Sequence, residues 1–165
     1  MSRSNLSPIE QAVRESIDSV FDNTVPLLII AASGGMDSMS LMHSLYRINV
    51  SGIVAHVNYH KRGEASNKDA DLVAKKAKEW GFQFELKEAN PNKAKGHNFQ
   101  QWARQVRYRF FRDLGEQYGT DGIALAHHRD DQVETIFQKL LRGAGMASWS
   151  GMKVWDGELF RPFLS

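Results

Sequence analysis

The chain of 165 residues contains no cysteine, which excludes disulfide bonds, zinc sites built on cysteine and catalysis by a thiol. It also lacks an apolar run long enough to span a membrane, and no basic-then-apolar segment opens the N-terminus. The net charge is only +2, so the composition permits an anionic partner without requiring one. We therefore expect a cytoplasmic protein with no membrane contact.

Hydrophobic residues make up 42% of the chain, which favours a folded globule over disorder. The length suits a single domain, residues 1–165, with an N-terminal helix within 1–25. Ser7, Pro8 and Glu10 form a helix-start pattern that combines a cap, an early proline and a capping glutamate. An apolar stripe should bury this helix: Ile9, Val13, Ile17, Val20 and Phe21.

The stretch 27–45 organises the chain. An apolar run over 27–32 predicts a buried strand, Ser33-Gly34-Gly35 interrupts it, and a helical pattern begins at Met36. A strand, a glycine turn and a helix together direct backbone N–H groups at a phosphate. Ser33 and Ser38 add hydroxyl groups, and the glycines permit a close approach.

Asp37 is the unusual residue of this turn, because a carboxylate beside a phosphate is repulsive on its own. A divalent cation such as Mg²⁺ between the carboxylate and the phosphate oxygens reverses that sign. The hexamer at 33–38 is neither a Walker A loop nor a dinucleotide fingerprint. Ser-Gly-Gly alone suits an ordinary turn, but the whole hexamer after a buried strand favours a nucleotide with a metal.

A second apolar strand, 53–58, ends in a polar loop that carries His60 and Arg62. The stretch 67–80 reads as a helix, and 82–87 alternates like a strand near a sheet edge. Strands that alternate with helices predict an α/β fold with a mostly parallel sheet. Ligands of such sheets lie beyond the carboxyl ends of the strands, which places Arg62 beside the glycine turn.

Asn98 should cap another helix. Its buried stripe is predicted to comprise Phe99, Trp102, Val106, Phe110 and Leu114. Arg109 and Arg112 read as a solvated face. Arg104 and Arg107 lie three residues apart, so both can point the same way, and a guanidinium pair there could hold phosphate from ATP or RNA.

Residues 122–126 predict a further buried strand, which leads into a cluster of His, Asp and Glu side chains and then a helix at 133–141. Acids at a helix start are often structural. Together with His128, however, Asp131 favours chemistry, either as a second metal ligand or by orienting an incoming amine. Three aromatic residues of the tail are expected to pack rather than to stack on a base: Trp149, Trp155 and Phe160.

Four segments carry a family resemblance: SGGMDS at 33–38, HVNYHKRG at 56–63, WARQVRY at 102–108, and AHHRDDQVET at 126–135 with RGAG at 142–145. The hexamer resembles the pyrophosphate loop of the N-type ATP pyrophosphatases (PP-loop superfamily). In order and spacing, the four segments resemble the catalytic domain of the tRNA(Ile)-lysidine synthetases over residues 26–165. The absence of cysteine separates the chain from PP-loop enzymes that use cysteines to thiolate tRNA.

The resemblance implies a Rossmann-like, adenine nucleotide alpha hydrolase-like fold with three α/β/α layers. It also implies a ligase that adenylates the wobble cytidine of tRNA(Ile) with a CAU anticodon, using ATP and Mg²⁺, and then attaches free L-lysine. The implied ATP-binding residues are Ser33, Gly34, Gly35, Met36, Asp37, Ser38, His56 and Asn58. The implied catalytic residues are Asp37, His128 and Asp131, of which Asp37 and Asp131 hold the metal. The implied contacts to phosphate or tRNA are Arg62, Arg104, Arg107 and Arg142.

The chain departs from the family at Tyr59 and His60, where His-Gly is common. Relatives usually continue into C-terminal domains that grip tRNA, which these 165 residues lack, so we expect ATP binding to survive and tRNA modification to be impaired. Two alternatives stay open: another PP-loop enzyme, such as an amide-forming synthetase, and a non-catalytic nucleotide- or RNA-binding module. The oligomeric state also stays open, with a homodimer among the alternatives.

Overall fold

The computed structural model describes residues 5–96, 98–127 and 153–164. The helices and strands follow in the order α1 (Pro8–Val20), β1 (Leu27–Ala31), α2 (Met36–Arg47), β2 (Ser51–Asn58), α3 (Glu64–Glu79), β3 (Gln83–Glu88), α4 (Phe99–Tyr118), β4 (Gly122–Ala124) and β5 (Leu159–Phe160). Short 3₁₀ helices occupy Pro91–Ala94 and Pro162–Leu164. Among the described helices, none has the length and apolarity needed to cross a membrane.

The strands form one five-stranded sheet in the order β3-β2-β1-β4-β5, and every pair is parallel. This confirms the predicted α/β class and the position of β3 at an edge. The chain moves outward from β1 to β3 and then returns to the other side of β1, so the strand order reverses between β1 and β4. Ligands bind at such a reversal, outside the carboxyl ends of the strands.

Alternate residues of β1 face two separate hydrophobic layers. Leu28 and Ile30 pack in a cluster with Val13 of α1 and Val73 of α3. Ile29 faces the opposite cluster, where α4 contributes its apolar side chains. The three-layer α/β/α arrangement is therefore confirmed, and β1 lies at its centre because both of its faces are buried.

The predicted cap of α1 is confirmed, since Ser7 accepts a hydrogen bond from the Glu10 amide and Glu10 accepts one from the Ser7 amide. The predicted stripe is wrong at Ile9, which is 54% exposed. Glu10 is buried instead and pairs with Arg47 of α2, with 3.6 Å between its Oε2 and the arginine Nε. Because Glu10 caps the helix, its side chain turns inward, and the adjacent Ile9 therefore faces solvent.

The predicted buried face of α4 is also partly wrong. Leu114 is buried as expected, but Ala103 and Phe111 take the deepest positions. The remaining residues of the predicted stripe are only half-buried: Phe99, Trp102, Val106 and Phe110. Adjacent phenylalanines at 110 and 111 suit two faces about 100° apart, so periodicity cannot choose between them.

The tail adds β5, a strand that the sequence pattern did not predict. Phe160 is fully buried beside β4, and the Trp155 ring lies edge-on to Phe21 at 5.2 Å. The packing interpretation of these two aromatic residues is therefore confirmed. Trp149 and the helix predicted at 133–141 lie outside the described residues.

Gly52 of β2 lies opposite Leu28 of β1 in the parallel register. A Cβ atom there would lie 2.5 Å from the Ile30 Cδ1 atom and 2.9 Å from the Leu28 carbonyl oxygen. We expect Gly52→Ala to lower the free energy of unfolding by about 1–3 kcal/mol, because it overpacks the core. Urea denaturation checks this, with Ser51→Ala at the exposed neighbouring position as the control. Equal stability of the two variants would contradict the packing.

Candidate functional site

The loop between β1 and α2 is braced by its own serines. The buried Ser38 hydroxyl accepts a hydrogen bond from the Ser33 amide at 3.0 Å and donates one to the Gly35 carbonyl at 3.1 Å. The Ser33 hydroxyl accepts from the Gly35 amide at 3.2 Å. Gly35 is the N-cap residue of α2 and supplies no side-chain cap. The first-turn amides of α2 therefore face the loop without a capping side chain, as an anion site requires.

Gly34 provides the close approach between this loop and α3. Its φ is +90°, and a Cβ atom there would lie 3.1 Å from the Cβ atom of Asp69. A side chain at this position would be strained by the backbone and would also press on α3. Gly34 thus brings Asp69, which was not predicted as a site residue, to the edge of the loop.

A cavity of about 550 Å³ opens at the carboxyl ends of β1, β2 and β4. From the loop and α2 it is lined by Ser33, Gly35, Met36, Asp37 and Ser38. The polar groups contributed by the other elements are His56, Tyr59, Lys61, Arg62, Ser66, Asp69, Arg107 and His127. Three of the described lining side chains are cationic (Lys61, Arg62 and Arg107) and two are carboxylates (Asp37 and Asp69), a balance that favours an anionic ligand.

His56 and Asn58 lie at the end of β2 and are almost fully buried. The His56 Nδ1–H donates to the carbonyl of Ala32, just before the loop, at 2.6 Å. The Asn58 amide nitrogen donates to Asn67 of α3 at 2.9 Å, and its oxygen accepts from the His60 amide at 3.0 Å. These side chains therefore tie the strand ends and the following loop together, and His56 also lines the cavity.

Arg62 and Asp69 form an ion pair at the rim of the cavity. The arginine side chain is 65% exposed and the aspartate 31%, so the pair is within reach of a ligand. Lys61 lies beside them, with its ammonium 4.3 Å from the centre of the Phe99 ring. The predicted position of Arg62 beside the glycine loop agrees with this geometry.

Arg107 and Arg104 line different cavities, although their spacing would allow both to point the same way. Arg107 lies on the inward face of α4 and lines the loop cavity, with its Nη1 3.5 Å from the Tyr59 hydroxyl. Arg104 lies over the Tyr108 ring at 5.4 Å and lines a neighbouring cavity together with Lys87 and Lys93. Arg107 lies between Ala103 and Phe111 on the same face of α4. Because α4 is oriented with these two residues against the sheet, Arg107 also points inward.

Asp37 is exposed on the first turn of α2 and lines the cavity. Magnesium is commonly held by one or two carboxylates together with substrate phosphates. Within the described ranges, no group of three or more metal-ligating residues is present. The described donors therefore suit a cation shared with a phosphate ligand better than a cage made by protein alone.

Three predicted site residues, His128, Asp131 and Arg142, lie outside the described residues. Sequence reasoning missed Asp69, because its position at the loop depends on the packing of α3 against Gly34. The helix was also predicted to start at Asn67, whereas α3 starts three residues earlier, after Gly63 with φ +58°. Sequence reasoning also assigned no role to Tyr59 and Lys61. A glycine after a polar loop is the signal that could have indicated the earlier helix start.

A family model described as the PP-loop domain matches residues 7–165 of the chain. The chain is 35% identical over 140 residues to a tRNA(Ile)-lysidine synthase of Bacteroides thetaiotaomicron, covering 83% of this chain and 33% of that protein. It is 37% identical over 145 residues to a tRNA(Ile)-lysidine synthase of Clostridium acetobutylicum, covering 83% and 32%. The chain thus spans about a third of the length of these relatives.

Among solved structures, the fold is similar to a U34-tRNA thiolase of Methanococcus maripaludis, with a TM-score of 0.75. The match covers 94% of this chain and 58% of the other, at 16% sequence identity. An identity this low supports a shared fold and says nothing about a shared reaction.

The conformation of Gly34 yields a test with a matched control. Gly157 has a similar φ of +95°, but a Cβ atom there would meet nothing within 4 Å. We expect Gly157→Ala to lower the free energy of unfolding by about 1–2 kcal/mol through backbone strain, and Gly34→Ala to cost more because it also presses on Asp69. Denaturant unfolding of the two variants measures the difference, and an equal cost would contradict the contact with α3.

Proposed function

The chain belongs to the PP-loop domain family. From this premise we propose that the chain is the ATP-binding catalytic part of a tRNA(Ile)-lysidine synthase. The observation that carries this proposal is the cavity at the strand-order reversal, where the braced loop, the exposed Asp37 and the guanidinium of Arg107 come together. The names of the relatives in Bacteroides and Clostridium support the choice of reaction within the family.

The proposed reaction has two steps. The carbonyl oxygen on the cytosine ring of the wobble cytidine attacks the α-phosphorus of ATP, and pyrophosphate leaves. The substrate tRNA(Ile) carries a CAU anticodon. The side-chain amine of free L-lysine then displaces AMP, and lysidine results. We also propose that the protein is cytoplasmic. A homodimer is the alternative to a single chain.

The triphosphate is proposed to lie on the loop at 33–38, against the first-turn amides of α2. Ser33 is exposed and is the hydroxyl that reaches phosphate, whereas Ser38 shapes the loop through its bonds to Ser33 and Gly35. Arg62 approaches from the loop after β2 and Arg107 from α4, and both offset the phosphate charge. Backbone groups of 56–58 are proposed to meet adenine.

Asp37 is the proposed ligand for Mg²⁺, because it is the exposed carboxylate on the turn that holds the phosphates. When bound, Mg²⁺ would stabilise the negative charge that develops on the departing pyrophosphate. Asp69 is already paired with Arg62, and this ion pair lowers its capacity to serve as a further ligand. Asp131 remains the proposed second ligand, and His128 the proposed catalytic histidine.

The tRNA is proposed to approach over α4. Arg104 lies in a cavity that Lys87, Lys93, Arg109 and Arg112 also line, so this side of the helix presents several cations. Clustered arginine and lysine side chains attract the RNA backbone without reading its sequence. Arg142 is the further proposed contact to phosphate or tRNA.

A second candidate function is an amide-forming synthetase that uses the same loop with a small-molecule acceptor. The fold supports it, because the same α/β frame serves many acceptors. A non-catalytic nucleotide- or RNA-binding module is the third candidate. The exposed carboxylate at the phosphate loop disfavours a pure binder, which would have no need to offset that charge with a metal.

The decisive experiment incubates the chain with ATP, Mg²⁺, labelled lysine and a tRNA(Ile) transcript, and then analyses the nucleosides. We expect ATP binding and pyrophosphate release that depends on tRNA, with lysidine among the nucleosides. A tRNA with a different anticodon is the control. Pyrophosphate release that responds to a small acceptor and ignores tRNA would favour the synthetase alternative.

The metal assignment predicts that Asp37→Asn reduces Mg²⁺-dependent pyrophosphate release by about 100-fold or more, since a few kcal/mol of charge stabilisation is lost. Asp71→Asn, at an exposed position of α3, is the matched control and should retain activity. Circular dichroism confirms that each variant is folded. Unchanged turnover in Asp37→Asn would refute the assignment.

A further inference from the structure

Tyr59 anchors the loop that follows β2 to the first turns of α4. Its ring lies edge-on to Phe99 and Trp102, with centroid distances of 6.0 and 6.1 Å. The side chain is half-buried between the loop and the helix. Aromatic contacts of this kind hold the ring in place and thereby fix the position of its hydroxyl group.

The Tyr59 hydroxyl connects two successive turns of α4. It donates to the carbonyl of Ala103 at 2.9 Å, across 44 residues of sequence. Since its single proton is committed to that carbonyl, the oxygen lone pairs remain to accept from Arg107, whose Nη1 lies 3.5 Å away. Burial raises the pKa of Tyr59, against the opposing effect of Arg107, so the phenol stays protonated at neutral pH.

A neutral partner has a particular advantage for an arginine that must bind an anion. Arg62 and Arg112 are paired with Asp69 and Glu158, whose carboxylates offset their charge. The phenol of Tyr59 instead orients the guanidinium of Arg107 and leaves its full positive charge in the loop cavity. A long side chain that is ordered in advance loses less conformational entropy when the ligand binds.

We propose that Tyr59 is a positioning residue that holds the Arg107 guanidinium toward the phosphates of ATP. The proposal rests on the function proposed above, since it requires ATP in the loop cavity. It also explains how the chain accommodates a tyrosine where the family resemblance leads one to expect a histidine. On this proposal the loop after β2 still contributes to ATP binding, through the hydroxyl group of Tyr59.

The test compares Tyr59→Phe with the unchanged chain in the binding of ATP, with adenosine as the probe that lacks phosphate. Loss of the hydroxyl should weaken ATP binding about 5-fold, the size expected for one hydrogen bond, and should leave adenosine binding unchanged. Tyr118→Phe is the matched control. Tyr118 lies at the C-terminal end of α4, away from the cavity, and the substitution removes its hydrogen bond to Glu85 of β3.

A double-mutant cycle then tests whether Tyr59 acts through Arg107. In an Arg107→Ala background, Tyr59→Phe should have no further effect on ATP affinity, because the group that it positions is gone. An equal loss in both backgrounds, or an equal loss for ATP and adenosine, would overturn the proposal and assign Tyr59 a purely structural role. Failure of the unchanged chain to bind ATP would instead refute the proposed function, so the two failures are distinguishable.

Discussion

Strand β1 pairs in parallel with β2 on one side and with β4 on the other, and the candidate site depends on this arrangement. Parallel neighbours end at the same edge of the sheet, so the segments that leave the three strands are neighbours in space. The loop at 33–38, the loop after β2 and His127 meet there. Because β1 is buried on both faces, its end lies between the two helix layers, with α2 and α3 on one side and α4 on the other.

Two arginines reach this edge in different electrostatic states. Arg62 is paired with Asp69 and is largely exposed, so any anionic ligand would compete with a carboxylate for it. Arg107 lies beside Tyr59, whose neutral phenol does not offset the charge of the guanidinium group. Charge-assisted hydrogen bonds to phosphate are strong only when the donor is correctly oriented. The residue that orients each arginine therefore affects anion binding, as the arginine itself does.

The same α/β frame can support more than one chemistry. The fold is similar to that of an archaeal tRNA thiolase, yet this chain has no cysteine with which to carry sulfur. What the two share is the fold. The chemistry of this chain must come from the side chains around the loop at 33–38, which include carboxylates and guanidinium groups.

The sequence by itself determined the local features whose cause is local. The buried run that forms β1, the Ser7 and Asn98 caps, the existence of strand β3 and the Ser-Gly-Gly turn were all readable, because each depends on residues close together in the chain. The burial of β3 does not follow its alternating pattern, since Leu86 is exposed. Only the tertiary structure decided which face of α4 is buried, and therefore that Arg107 enters the cavity while Arg104 does not. It also brought Asp69 against Gly34 and Tyr59 against α4. Such contacts join distant segments, and their geometry follows from how helices pack on the sheet, which no periodicity within one segment encodes.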